Sequence, residues 1–187
     1  MVNHWAIFSL WDKRGATELA QVLINCGYGV LATSQTATVL KQFGINVTEV
    51  EKWTGSPEIL GGRVKTIHPK IAAGILSNRE DGSIELIDFV VCNLYPFEQG
   101  LREKLGLKEM VELIDIGGVT LLRAAAKNWF FVTAVPTPDL YPLVVEQLAE
   151  LNRVSERVRR ELARRTFEIT AKYDMLIAQY LADIVDK

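Results

Sequence analysis

The residues best suited to chemistry lie in the segment Ile114 to Asn128, IDIGGVTLLRAAAKN. There Asp115 precedes the pair Gly117–Gly118 and an alanine- and leucine-rich stretch ending on Lys127. Paired glycines let a backbone approach a ligand closely, because no Cβ intervenes. Val119 to Ala126 has helical composition, so its first N–H groups face whatever sits at Asp115, and such a helix start suits an anion or an oxyanion. The plain alternative is a βα turn followed by a core helix. Two more polar, glycine-flanked stretches where strands should end favour the chemical reading, and the segments expected at such ends are WDKRG (Trp11–Gly15), TSQT (Thr33–Thr36), NLYPF (Asn93–Phe97) and the irregular GGRVKTIHP (Gly61–Pro69). The residues expected to converge are Lys13, Thr33, Ser34, Thr36, Arg63, Lys65, Thr66, Asn93, Tyr95, Asp115 and Lys127. Three lysines and an arginine against one aspartate form an anion-binding set. A straight helix over Gly118–Lys127 would separate its ends by roughly 14 Å at 1.5 Å per residue. Either that helix ends early, or Asp115 and Lys127 approach a ligand from different sides, and the sequence leaves both open.

These stretches need elements to position them. His4–Leu10 reads as a strand, Ala16–Cys26 as a helix, Val30–Ala32 as a second strand, Ala37–Phe43 as a helix and Val47–Val50 as a short third strand. Gly55–Pro69 carries too many prolines and glycines for a regular element. Leu86–Cys92, LIDFVVC, is a nearly continuous apolar run of the kind found in sheets covered on both faces, and Phe130–Val135 reads as a last strand. From Asp139 onward the chain turns to amphipathic helices, one through Leu140–Leu151 and a long one through Val158–Tyr180. Alternating strands and helices predict an α/β fold of three αβα layers around a mainly parallel sheet, with the C-terminal helices (about 139–187) packed on it, in a single domain spanning 1–187. Ligands in such sheets bind beyond the carboxyl ends of the strands, where the polar stretches fall.

Composition narrows the classes. A net charge of −2 and the interleaving of Arg153–Arg165 with Glu156 and Glu161 argue against a nucleic-acid footprint and for a solvated helix face. No apolar run reaches membrane-spanning length. The start shows no signal-peptide pattern. Cys26 and Cys92 are isolated in apolar runs, which fits a reducing, cytoplasmic setting, and two histidines are too few for a zinc site. No metal or cofactor is expected.

At these positions the chain resembles the IMP cyclohydrolase domain, the amino-terminal half of the bifunctional purine-biosynthesis protein that also carries AICAR transformylase. PEILGGRVKTIHP (Pro57–Pro69), AAGIL (Ala72–Leu76), VVCNLYPFE (Val90–Glu98) and IDIGGVTLLRAAAKN carry the likeness, with weaker similarity on either side. The resemblance implies the open five-stranded sheet shared with methylglyoxal synthase. It implies a reaction too: ring closure of 5-formamidoimidazole-4-carboxamide ribotide to IMP with loss of water, the last step of de novo purine biosynthesis. By resemblance, nucleotide contacts fall on Asp12, Lys13, Thr33, Ser34, Gln35, Thr36, Arg63, Val64, Thr66, Cys92, Asn93, Ile116 and Gly117. The chemistry falls on Lys65, Tyr95, Asp115 and Lys127. Lys65 or Lys127 would stabilise or protonate the developing oxygen, Asp115 would orient a lysine or relay the carboxamide proton, and Tyr95 would donate to a carbonyl. A homodimer and a fused or separate transformylase are implied partners. The alternative is a non-catalytic module of the same fold that senses purine nucleotides.

Two loops depart from the family pattern. SLWDKRG stands where SVSDKTG is common, so Trp11 replaces a small hydroxyl residue, with Arg14 as an added charge; TSQT stands where SGGT or TGGT is common, so Ser34 and Gln35 replace glycines. Several residues also have structural readings: His68 as a backbone-bonded imidazole, Trp5, Trp53 and Trp129 as packing, and Arg123 as a buried or interfacial ion-pair partner.

Overall fold

The computed structural model describes residues 3–185. Five parallel strands, β1 (His4–Leu10), β2 (Gly29–Ala32), β3 (Thr48–Glu49), β4 (Leu86–Asn93) and β5 (Thr133–Val135), form one sheet in the order β3-β2-β1-β4-β5. The chain winds outward from β1 through β2 to β3, then returns to the other side of β1 for β4 and β5. The direction of winding therefore reverses between β1 and β4, and a crevice opens at such a reversal beyond the strand tips.

Alternation along each strand sends side chains to two separate cores. Ala6, Phe8 and Leu10 of β1 and Phe89 and Val91 of β4 face one side. There they meet α1 (Ala16–Asn25), α2 (Ser34–Gln42), α8 (Tyr141–Leu151) and the start of α9 (Glu156–Val185). Ile7, Ile87, Val90 and Cys92 face the other side and pack on α3 (Val50–Thr54), α4 (Pro69–Leu76) and α7 (Gly117–Lys127). Both faces being covered explains why LIDFVVC lacks polar alternation. A third, smaller cluster joins α5 (Phe97–Glu103) and α6 (Leu107–Glu112) to α9 through Phe97, Met110 and Tyr173.

The expected three-layer arrangement is present, with the expected parallel strands. Helices α3, α4, α5 and α6 were not anticipated. Each is short, and a few turns leave too few apolar repeats to read a period. His68 caps α4, its Nδ1 accepting from Lys70 N, and Pro69 opens the helix. The last strand is only Thr133–Val135, because Phe130 and Phe131 lie in the turn that follows α7.

Helix α9 is the longest element, and Arg159 ties its start to the turn that follows α7. Arg159 donates to the carbonyls of Trp129, Phe130 and Val154, and burial lowers its pKa. It is the one member of the basic cluster turned inward, whereas Arg164 and Arg165 pair with Glu161 on the solvated face. Arg123 is not a buried ion-pair partner; it is exposed and lies over the Phe167 ring. Trp5 and Trp53 pack edge to face, both indoles donating to Glu85. No helix among the described residues is long and apolar enough to cross a membrane.

Candidate functional site

A cavity of ≈ 510 Å3 opens beyond the carboxyl ends of β1 and β4. Its walls come from Ser9 and Leu10 at the end of β1, the start of α2, the loop between α3 and α4, the end of α6 and the start of α7. Of the residues expected at a site, Thr33, Ser34, Gln35, Arg63, Lys65, Thr66, Asn93, Tyr95, Asp115, Ile116 and Gly117 all line it, although the segments that carry them are far apart in sequence.

The loop between α3 and α4 folds back on itself through an antiparallel bridge between Ile59 and Val64. That bridge explains why Val64, expected to contact substrate, is not on the cavity wall, whereas Arg63 and Lys65 on either side of it are. Lys65 forms no ion pair among the described residues, so its ammonium is available to the cavity. Arg63 is instead paired with Glu112.

Asp115 and the double glycine form one unit. Asp115 Oδ1 accepts from Gly118 N at 2.6 Å, so the carboxylate already occupies the start of α7 that was expected to face a substrate anion. Close approach requires both glycines: a Cβ on Gly118 would lie 2.4 Å from Asp115 Oδ2, and one on Gly117 would lie 2.6 Å from Thr66 Oγ1. Burial raises the Asp115 pKa, with the Gly118 and Tyr95 backbone N–H groups and the Lys65 charge pulling the other way. Behind it, Tyr173 of α9 accepts from Asp115 N and donates to Leu113 O, which fixes the backbone on which the carboxylate sits.

Several other expected contacts have side chains already bonded within the protein. The Thr36 hydroxyl accepts from Leu10 N and is buried. Cys92 is buried under α7, its thiol donating to Gly118 O at 3.8 Å and its pKa pushed well up by burial. Asn93 lines the cavity but spends its amide on the loop after β1, accepting from Trp11 N and Asp12 N and donating to Asp12 O. Asp12 and Lys13 line a neighbouring cavity of ≈ 460 Å3, with Lys13 Nζ donating to Trp11 O. Arg14 adds no charge to either cavity, since Asp12 holds its guanidinium. Trp11, half exposed, stands between the cavities and lines both, edge to face with Tyr95 at 5.7 Å.

Lys127 is not on the wall of this cavity. Helix α7 runs unbroken for 11 residues, about 15 Å at its ordinary rise, and carries Lys127 to its exposed far end. Of the two geometries the sequence left open, the helix neither ends early nor brings both residues to one cavity. The charge balance also differs from the expected anion set. The lining holds two cations, Arg63 and Lys65, and three carboxylates, Glu58, Glu112 and Asp115. Glu58 and Glu112 were missed. Glu58 sits inside the PEILGGR stretch and accepts from the Ser34 hydroxyl, but nothing in the sequence marks Glu112. Among the described residues no three His, Cys, Asp or Glu side chains are grouped to hold a metal ion.

The family model described as MGS-like domain matches residues 15–120, and that of the AICARFT/IMPCHase bienzyme matches residues 125–187. The chain is 46% identical over 185 residues to a bifunctional purine biosynthesis protein PurH from Persephonella marina, covering 94% of this chain and 36% of that protein. It is 45% identical to PurH from Anoxybacillus flavithermus, covering 96% of this chain and 37% of that one. The chain thus spans little more than a third of the length of these relatives. A solved structure described as ForH superposes with a TM-score of 0.83 at 32% identity, over 96% of this chain and 97% of that one. By its family-model match, its relatives and its sheet, the chain belongs to the MGS-like domain family, on the side of that family occupied by the IMP cyclohydrolase part of PurH.

Proposed function

We propose that this chain closes the ring of 5-formamidoimidazole-4-carboxamide ribotide to give IMP and water. The observation that carries the reading is that Lys65, Tyr95 and Asp115 line one cavity whose facing wall is the start of α2. The N–H groups of Ser34, Gln35 and Thr36 there donate to no protein group among the described residues, which suits the ribotide phosphate.

In the reaction the carboxamide nitrogen attacks the formyl carbon and sheds a proton, the formyl oxygen gains charge, and the resulting hydroxyl leaves as water while the ring C=N bond forms. Asp115, made more basic than an ordinary aspartate by burial, takes the carboxamide proton and returns it to the charged oxygen to give the hydroxyl; the proton that the formamido N–H gives up as the C=N bond forms leaves with that hydroxyl as water. The Lys65 ammonium stabilises the oxygen as it charges. Tyr95 donates to the carboxamide carbonyl and fixes the rotamer that points nitrogen at carbon. Both reacting groups sit on neighbouring atoms of one ring, so the protein supplies charge placement more than proximity. No step is assigned to Lys127, which lies at the other end of α7.

The formylated substrate would come from an AICAR transformylase activity, fused or separate. A homodimer and a cytoplasmic setting belong to the same reading, and sedimentation of the purified chain checks the first. The test of function is a spectrophotometric assay of IMP formation from the formylated ribotide, without added metal or cofactor. Ring closure above the uncatalysed rate is expected. Binding of IMP with no ring closure would favour the nucleotide-sensing alternative, and neither binding nor turnover would remove both.

A further inference from the structure

Glu58 sits uneasily in a cavity meant for a phosphate. It is half-buried in the wall, one oxygen accepting from the Ser34 hydroxyl, and it forms no ion pair among the described residues. Its other oxygen, Oε2, lies over the glycine turn, 3.1 Å from where a Cβ on Gly62 would stand, and accepts no hydrogen bond among the described residues. A carboxylate with a spare acceptor repels a phosphate and recognises a hydroxyl donor. It is also not a stand-in for the phosphate. It touches the Ser34 side chain and none of the backbone N–H groups at the start of α2, which stay free beside it.

From this arrangement we infer that Glu58 is the sugar-recognising residue of the site: its free carboxylate oxygen accepts from the ribose diol of the ribotide whose phosphate takes the start of α2. The inference rests on the proposed ribotide chemistry and adds to it the group that separates ribose from deoxyribose. Three features converge on the role. The Ser34 bond fixes one oxygen and so aims the other. The bare Gly62 backbone leaves room for that oxygen at the turn. The carboxylate lies one side chain from the phosphate-binding N–H groups, as the sugar of a 5′-phosphorylated ribotide lies next to its phosphate. Ser34, where the family pattern has glycine, thereby acts as a positioning residue for Glu58.

The experiment is calorimetric titration of the full chain with IMP, 2′-deoxy-IMP and 3′-deoxy-IMP, repeated with Glu58→Gln. The wild-type chain should bind IMP about tenfold or more tightly than at least one deoxy analogue, the worth of a hydrogen bond to a charged acceptor. Glu58→Gln should weaken IMP binding by a similar factor and erase most of the discrimination, as coupled partners do in a double-mutant cycle. Equal binding of all three ligands by the wild-type chain, which needs no variant to fold, would overturn the inference and leave the ring-closure reading standing. Tighter IMP binding by Glu58→Gln would overturn it too, since it would show a carboxylate that repels the phosphate. Failure of the wild-type chain to bind IMP, together with no ring closure in the assay, would remove the ring-closure reading along with it.

Discussion

At Asp115, burial and charge pull in opposite directions, and the outcome is measurable. Its folded pKa is raised above the ordinary aspartate value of 3.8, chiefly by desolvation. Two consequences follow. The acid limb of the kcat/KM profile should lie above the range of an ordinary aspartate and vanish, with most activity, in Asp115→Asn. A raised folded pKa contributes stability that is present below the unfolded value and lost as pH rises through the folded one. Asp115→Asn, which keeps an acceptor for Gly118 N, should therefore melt no lower than the wild-type chain at neutral pH, and any gain should shrink as the pH falls toward 3.8. Thermal melts across that range check the sign. At Lys65 the expectation is kinetic: Lys65→Ala should lower kcat by about 10²–10³-fold, the usual cost of removing a donor from a developing oxyanion, with an unchanged circular dichroism spectrum. Wild-type turnover in Lys65→Ala would show that the oxygen is stabilised elsewhere. That these residues belong to one wall was legible from the polar, glycine-flanked runs that carry them, although Lys65 follows α3 and Asp115 follows α6 and neither stands directly at a strand end. Thr36, Cys92 and Val64 looked equivalent in the sequence and are not. Whether a hydroxyl turns back to a strand end, as Thr36 does to Leu10, depends on contacts between segments 26 residues apart.

Between elements, the site depends on two junctions that nearest neighbours in sequence do not reveal. The first is the start of α7. Replacing a helical glycine by alanine ordinarily favours the helix by about 1 kcal/mol, but at Gly118 the new Cβ would meet the Asp115 carboxylate at 2.4 Å. The carboxylate must move off Gly118 N, and Gly118→Ala should lose at least about tenfold in kcat, the equivalent of one charge-assisted hydrogen bond. A full-rate Gly118→Ala enzyme would mean that the position of Asp115 does not matter. The second junction is with α9, where Tyr173 bridges Asp115 N and Leu113 O. Tyr173→Phe leaves both groups without that partner and should cost about 1–3 kcal/mol in chemical denaturation. It should also reduce kcat more than it raises KM, because it loosens the backbone beneath the carboxylate proposed to move the proton and leaves the proposed phosphate end untouched. An amphipathic repeat showed that α9 packs on something. It could not show that one tyrosine of that helix reaches the site.

For the whole molecule, the parallel sheet and its two covered faces could be read from the order of strand-like and helix-like runs and from the apolar continuity of β4. The charge balance of the cavity could not. Glu112 lies 49 residues from the Arg63 it neutralises, and Glu58 lies 24 residues from Ser34. Only the folded chain puts them in one wall. The same dependence bears on domain organisation. Two family models divide the chain near residue 120, yet the apolar clusters do not divide there. Val144, Leu148, Val158 and Leu162 from the later region share one core with Phe8, Leu19 and Val91, and Tyr173 completes another with Phe97 and Met110. Burying a leucine or valine side chain is worth about 1.5–3 kcal/mol, so removing α8 and α9 would strip from these cores an amount comparable with the 5–15 kcal/mol by which a domain of this size is usually stable. The chain should therefore unfold in urea as one cooperative unit, with far-UV dichroism and tryptophan fluorescence giving superimposable curves. A fragment ending at Asp139 should be unfolded in the same buffer. Two separated transitions, or a folded fragment, would show that the region before α8 is a domain in its own right and that α9 is only docked on it.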